Sequence, residues 1–491
     1  MGTIGRKPQV SSATRRKRHL KSTFGKMATV KLAEQTDEAE EGTPRPAGPA
    51  SPRTESLRST VIRGMSWEIL GQATMQGVRF AGNLVLTRLL APEAFGVMGM
   101  VQVFMISLQL LADVGLHVSV MHDSRGDDDD FLDTVWTVSS LRGLTLFGIS
   151  CLLAYPFAHF YQMPDLIWLL PITGISCIFR GLSSTSILTA GRHLRRKWYV
   201  MVECGSQVTG TVVTVLMTLA MRSVYALAWG WVVTAIVYLC LSFRDPARRP
   251  HRFHWDPKIV QSLTSYGRWL WLCGWLTILV QNSDRLALGA MVSASVLGNY
   301  VIGKNLAALP MIVFHRLLSG IAQPLFARIR HLEPEQIRRK VRKLRLGTLA
   351  ALMPVFVLMA VLGQPLVNLL YEGEYSRAGW YCTLCAIGSM FIVATDMGDI
   401  FAAYGDGRTH FKLTLVRAAG LAIGLVSGYF LGNLWGHTDN GVLLGIVLAP
   451  LIHYPVQAMF YRKIHVWMPD VDALGLSVPL LMLLGLYLGW F

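Results

Sequence analysis

The stretch Ile278–Pro310 reads ILVQNSDRLALGAMVSASVLGNYVIGKNLAALP. It begins as an apolar run and sets Asp284 beside Arg285. It then turns through Ser293-Ala294-Ser295 and re-enters an apolar run at Leu297-Gly298-Asn299-Tyr300. A charge inside an apolar span costs about 2.5–3.5 kcal/mol on insertion scales, so such residues face a partner or a water-filled cavity. The stretch has an echo: Leu89-Leu90-Ala91-Pro92-Glu93-Ala94-Phe95-Gly96 lies over Met291–Gly298 after a shift of 202 positions. Each copy is an apolar span, a short turn and a second span entered near a glycine. The pattern predicts two related halves facing each other across a shared centre.

The rest of the chain fits a membrane setting. It has 491 residues, 52% hydrophobic and 15% charged, with mean hydropathy +0.41. Soluble domains carry nearer a quarter charged residues. Many runs exceed about 18 residues with few charges, too long for barrel strands, so the backbone must satisfy itself within helices. The net charge of +16 points to loops beside anionic lipid and not to nucleic acid. Seven cysteines (Cys151, Cys177, Cys204, Cys240, Cys273, Cys382 and Cys385) sit in apolar runs. An odd, scattered set argues against a disulfide framework, and Cys382-x-x-Cys385 lacks a second ligand pair, so both read as packing residues.

Residues 1–60 are polar, contain Arg15-Arg16-Lys17-Arg18, and show no hydrophobic period. They read as a disordered basic cytoplasmic tail. Spans are predicted at 67–88, 95–116, 134–156, 166–189, 198–221 and 223–243, and again at 266–291, 296–320, 346–371, 379–403, 411–434 and 440–461, with a last one at 473–490. The expected organisation is all-α, a polytopic membrane helical bundle: tail 1–60, a six-helix lobe 61–245, a second six-helix lobe 246–465, and an additional C-terminal span in 466–491. Loops on one side carry Arg192, Arg195, Arg196, Lys197 and the cluster from Arg328 to Arg345; those on the other carry Arg88, Arg222 and Arg377. The positive-inside rule puts the first set, and the N-terminus, in the cytoplasm. Gly420, Gly424, Gly428 and Gly432 recur on one helix face and predict close helix packing.

Four stretches resemble one family. They are Thr87–Gly96 followed by Leu110-Leu111-Ala112-Asp113-Val114-Gly115-Leu116; Asn282-Ser283-Asp284-Arg285 through Leu297-Gly298-Asn299-Tyr300 to Leu309-Pro310; Gln323-Pro324-Leu325-Phe326-Ala327-Arg328; and Gly363-Gln364-Pro365-Leu366-Val367 with Tyr404-Gly405-Asp406-Gly407-Arg408. In order and spacing, across about 65–465, the chain resembles the polysaccharide transporter family of the multidrug/oligosaccharidyl-lipid/polysaccharide exporter superfamily. The resemblance implies two pseudo-symmetric six-helix lobes around a cavity open to one side at a time. It implies a lipid-linked oligosaccharide as cargo, flipped across a bacterial inner membrane. Membrane lipid would surround the protein, and a polysaccharide polymerase and chain-length machinery are candidate partners. The basic tail and the thirteenth span depart from the core pattern.

Moving a diphosphate and sugars through hydrocarbon is a desolvation problem, because each unpaired polar group costs several kcal/mol. A polar, cationic cleft answers it, and guanidinium matches phosphate best. Candidate cargo residues are Arg79, Arg180, Arg285 and Lys304, with the amides Gln76 and Asn305. Arg142, Arg316 and Arg417 rank lower, nearer the span ends. Asp284, Asp396 and Asp399 are candidate ion-coupling residues for H+ or Na+. Asp113 and Glu203 complete the acidic set. For Asp284 a structural pair with Arg285 is an equal alternative; for Asp396 and Asp399, three apart in a predicted helix, the alternative is a salt bridge to Arg417. Trp269, Trp271 and Trp275 could stack on sugars or form an interfacial belt. No catalytic residues, resident cofactor or metal are expected. A drug exporter of the same superfamily would need an acidic cavity, and a membrane glycan polymerase would need a sizeable outer loop. Both readings fit the residues less well.

Overall fold

The computed structural model describes residues 57–111, 120, 123, 125–192, 196–245, 250–329, 333–371, 373–397, 400–404, 406–434, 436 and 438–488. The side chains of Trp269, Trp271, Trp275 and Arg316, and the residues Asp113 and Asp399, lie outside the described set, as do residues 1–56.

Among the described residues the regular structure is helical throughout. Thirteen long helices follow in order: α1 (Leu57–Leu86), α2 (Pro92–Leu111), α3 (Asp129–Tyr161), α4 (Leu166–Gly181), α5 (Arg196–Met221), α6 (Val224–Ser242), α7 (Pro257–Met291), α8 (Ala294–Ile329), α9 (Pro334–Leu370), α10 (Ser376–Thr395), α11 (Gly407–Leu434), α12 (Thr438–Lys463) and α13 (Pro469–Tyr487). Nine helices among the described residues are long and apolar enough to cross a membrane. Their outward faces expose large apolar side chains such as Leu152, Leu216, Leu358 and Phe430, as lipid contact requires. The chain is a multi-pass membrane protein.

Sequence chemistry explains where helices start. Asp256 caps α7, its carboxylate accepting the Lys258 amide at 2.8 Å, and Pro257 follows at the first helical position. Proline belongs there because that N–H has no intrahelical partner. Ser223 caps α6 in the same way. Helices α7, α8 and α9 have 35, 36 and 37 residues. At about 1.5 Å per residue each exceeds 50 Å, well beyond an apolar layer of about 30 Å.

In the first half α1 packs on α5, α5 on α6, α6 on α4 and α4 on α3. In the second, α8 and α9 flank α10, α12 packs on α10, and α11 lies along α12. The glycine stripe forms that last seam: Gly424 and Gly428 lie against the backbones of Gly445 and Gly441. The additional span α13 packs on α10 and α9. Helix α7 touches both halves, meeting α2 and α3 on one side and α11 and α12 on the other.

The sequence echo is a physical contact. Helices α2 and α8 cross at their first turns. A Cβ on Gly96 would lie 2.0 Å from the Ala294 carbonyl oxygen, and one on Gly298 would lie 1.8 Å from the Pro92 carbonyl oxygen. Pro92 and Ala294, like Gly96 and Gly298, are 202 positions apart. Each copy therefore makes against the other the contact that the other makes against it. That reciprocity is the mark of a two-fold relation.

Three expectations are corrected. Helix α1 begins at Leu57, inside the stretch expected to be tail. The span expected over 166–189 stops at Gly181, and a short helix, Ser186–Arg192, follows. Serines cause the break: Ser183 donates to the Arg180 carbonyl at 2.7 Å, and the Ser184 amide donates to Ser242 Oγ at 3.1 Å. Such bonds compete with the helix ladder. The span expected over 379–403 ends at Thr395, with Asp396 extended. Its last carbonyls are taken by side chains, since Arg345 donates to Ala394 O and Gln457 Nε2 to Thr395 O.

Candidate functional site

Past the Gly96–Gly298 crossing, α2 and α8 separate. Gly99 still meets the Val301 side chain, but Gln102, Ile106 and Gln109 on α2, with Asn305, Leu309 and Ile312 on α8, line a cavity of about 630 Å3. The halves meet at the end bearing the Arg88 and Arg377 loops. There the Tyr375 hydroxyl donates to the Leu90 carbonyl at 2.6 Å, and Phe95 meets the Tyr375 ring edge-on at 6.0 Å.

The two walls differ. The first half supplies amides and hydroxyls: Gln76, Asn83, Gln207, Thr211, Thr214 and Thr234. It also supplies Arg79 and Arg180. The Arg79 guanidinium donates to Gln207 Oε1 from Nε at 3.3 Å and from Nη2 at 3.1 Å. Arg180 lies over the Tyr238 ring, 5.0 Å from its centroid, an attraction that needs no carboxylate. The second half contributes Val301, Ile302, Leu306, Leu309 and Ile312, with Asn305 and Tyr371 as its polar lining residues.

Cations of the second half behave differently. Asp284 accepts from the Lys304 ammonium and from the Tyr300 hydroxyl. Arg285, expected as the structural alternative, is not its partner, because neighbours in a helix do not face each other whereas Lys304 comes from the facing helix. Lys304 is thereby turned to Asp284 and does not line the cavity. Arg285 is 8% exposed and donates to Gln102 Oε1 and Asn305 Oδ1, both at 3.1 Å. Asp396 accepts from Arg417 at 2.6 Å and from the Tyr461 hydroxyl at 3.2 Å. The salt-bridge alternative is therefore the one the structure builds. A third pair, Arg345 with Asp472, ties α9 to α13, and Tyr454 donates to the same carboxylate at 2.7 Å. Arg142 donates to the Gln109 carbonyl at 3.2 Å.

The structure thus gathers Gln76, Arg79, Arg180 and Asn305 at one cavity, puts Arg285 directly behind it, and places Lys304, Asp284 and Asp396 in ion pairs. Sequence reasoning missed Gln102, Gln109 and Gln207. Gln102 and Gln109 had a usable signal: two amides seven apart, two helical turns, in an otherwise apolar run. Tyr238 and Tyr300 had none, since aromatic residues are ordinary in membrane helices.

A helical membrane protein with two related halves around a central polar cavity has the fold of a transporter. A solved structure described as the inward-facing conformation of a multidrug resistance MATE family transporter of the MOP superfamily superposes with a TM-score of 0.60 at 12% identity, covering 79% of this chain and 94% of that one. The chain itself belongs to the family described as "Polysaccharide biosynthesis protein", whose sequence profile matches residues 85–378. Curated relatives include the lipopolysaccharide biosynthesis protein WzxC of Escherichia coli (strain K12), 22% identical, covering 84% of this chain and 85% of that protein. The succinoglycan biosynthesis transport protein ExoT of Rhizobium meliloti (strain 1021) is 21% identical, covering 76% of each.

Proposed function

We propose that this protein is an exporter that flips a lipid-linked oligosaccharide, a polyprenyl-diphosphate-linked repeat unit, across a bacterial inner membrane by alternating access. One observation carries the reading. The cavity lies between halves that meet at one end, and its polar wall presents Arg79 and Arg180 held by an amide and a ring. Those cations suit a diphosphate, and the surrounding amides and hydroxyls suit sugar hydroxyls. The facing wall of Val301, Ile302, Leu306, Leu309 and Ile312 suits the first isoprene units. Relatives named for lipopolysaccharide biosynthesis and succinoglycan transport support the cargo class.

In this reading the end bearing Arg338, Arg339 and Lys340 is cytoplasmic, by the positive-inside rule, and the end where the halves meet faces outward. The protein transports and does not catalyse. A polysaccharide polymerase and chain-length machinery would take up the exported unit. An H+ or Na+ gradient would act through a carboxylate: capture at Asp284 frees Lys304, and capture at Asp396 frees Arg417.

The test is the sidedness of lipid-linked oligosaccharide after depletion of the protein. A membrane-impermeant glycosidase is applied to spheroplasts and to inverted vesicles. Accumulation on the cytoplasmic leaflet with loss of polymer is expected. Accumulation on the outer leaflet would reassign the protein to a later step, and no change in either would move it to small-molecule export.

A further inference from the structure

Arg285 stands apart from every other cation described here. It is 8% exposed, yet its hydrogen-bond acceptors are two neutral amides, Gln102 on α2 and Asn305 on α8. Its Nε is buried with no hydrogen-bond partner. The adjacent carboxylate, Asp284, is committed to Lys304 and Tyr300. Counting formal charges, Asp284, Arg285 and Lys304 leave one positive charge packed inside the bundle. A buried guanidinium facing neutral acceptors is under-satisfied, because its charge has no counter-charge among its hydrogen-bond partners and a bidentate anion would supply one.

Position adds the second half of the argument. Both acceptors line the cavity, so an anion there competes with these amide oxygens for the guanidinium. Arg285 ties α7 to α2, across the halves, just below the Gly96–Gly298 crossing where they meet. The two-fold relation shows that the device exists once. The counterpart of Arg285, 202 positions earlier, is Asn83, and the counterpart of Lys304 is Gln102. One copy holds cations where the other holds amides, and the cation of the second copy bonds the amide of the first.

We propose that Arg285 is an anion-sensing latch. With the cavity empty it clamps α7 to α2 and α8 through Gln102 and Asn305; when the diphosphate of a cargo lipid enters, the guanidinium transfers to it and the contact between the halves loosens. The latch rests on the flippase reading and gives that site its response to cargo. The differential affinity that any ligand-driven shift requires comes from the bonds Arg285 exchanges: two to neutral amides for two or more to an anion.

The experiment uses the full chain in nanodiscs, in a cysteine-free background, with spin labels at Arg88→Cys and Arg377→Cys. Both positions are exposed, at the end where the halves meet, one on each half. Farnesyl diphosphate is the probe, with farnesyl monophosphate and farnesol as controls, and binding is measured separately by calorimetry. Farnesyl diphosphate should lengthen the inter-label distance in the parent protein, and farnesol should not. Arg285→Gln should still bind the probe through Arg79 and Arg180, within a few-fold, but show no lengthening. Gln102→Glu, which gives the latch an anion of its own, should raise the probe concentration needed for lengthening by tenfold or more. Lengthening in Arg285→Gln like that of the parent, an unshifted midpoint in Gln102→Glu, or a full response to farnesol would overturn the latch. A parent that binds the probe without lengthening would overturn the latch alone. A parent that binds no farnesyl diphosphate would sink the flippase reading and the latch together.

Discussion

The two halves share a crossing but not a chemistry. In the first half, Arg79 and Arg180 reach the cavity and are steadied by Gln207 and by the Tyr238 ring. In the second, Lys304, Arg417 and Arg345 are each folded onto a carboxylate. A cation held over a ring, as Arg180 is, keeps its charge available to an incoming anion. A cation paired with a carboxylate is spent on the fold. The difference teaches that counting cations in spans overstates the charge of the cavity: what matters is the partner each one has.

The largest effects should come from breaking the pairs of the second half. Removing one partner of a buried pair leaves an uncompensated charge and costs about 3–5 kcal/mol. Lys304→Met should therefore strand Asp284, and Asp472→Leu should strand Arg345, which is 6% exposed. Each should lower the midpoint of thermal unfolding in detergent by several degrees. The double variants Lys304→Met/Asp284→Leu and Arg345→Met/Asp472→Leu should recover most of the loss, because well-packed apolar replacements of buried pairs are often neutral. Single variants as stable as the parent would mean that these charges are solvated, and the contrast between the halves would fall.

Much of the fold was legible. The long apolar runs, the charge asymmetry of the loops and the 202-residue echo each reported one physical requirement: backbone satisfaction in lipid, loop charge and reciprocal close approach. Helix ends inside those runs were harder. Nothing in the run around Gly181 shows that Ser184 will spend its hydrogen bonds on breaking it, because its partners, Ser242 and His251, come from remote segments. Nor does the run through Thr395 announce that Arg345 and Gln457 will take its final carbonyls. Among candidate residues, Arg79, Arg180, Gln76 and Asn305 line the cavity: a polar group in a span needs water or a partner, and the cargo that the resemblance implies needs such groups. Lys304 was assigned to the cavity because sequence shows where a cation lies along a helix but not which carboxylate faces it.

The middle effect belongs to the first half. Arg79→Ala and Arg180→Ala should each lower export by about tenfold, the loss of roughly 1.4 kcal/mol expected from one charge-assisted contact. Unfolding midpoints and membrane levels should stay within error, since neither arginine is buried. Polymer output per unit of membrane protein is the measurement. Substitution by Lys should restore part of Arg180, whose ring contact accepts an ammonium, and less of Arg79, whose two nitrogens share one amide oxygen. A fall in stability that matches the fall in export would make these arginines structural and erase the distinction between the halves.

The smallest effect tests the same distinction outside the membrane-spanning segments. Asp406 caps α11, its carboxylate accepting the Thr409 amide at 3.0 Å. The Thr409 hydroxyl and amide, then the Arg408 amide and Lys412, hold that carboxyl below its ordinary value. A carboxyl lowered by folding contributes stability above its unfolded pKa, near 3.9, and loses it as pH falls through the lower folded value. The group is exposed, so solvent limits the contribution. Asp406→Ala should cost about 1 kcal/mol, as caps do, when unfolding is followed at neutral pH, and the gap between parent and variant should narrow, by the share the charge contributes, as pH drops below about 4. Asp406→Asn should retain most of the cap and lose the pH dependence. A gap of the same size at low pH would mean that the carboxylate charge contributes nothing there, and that capping geometry alone starts α11 at Gly407.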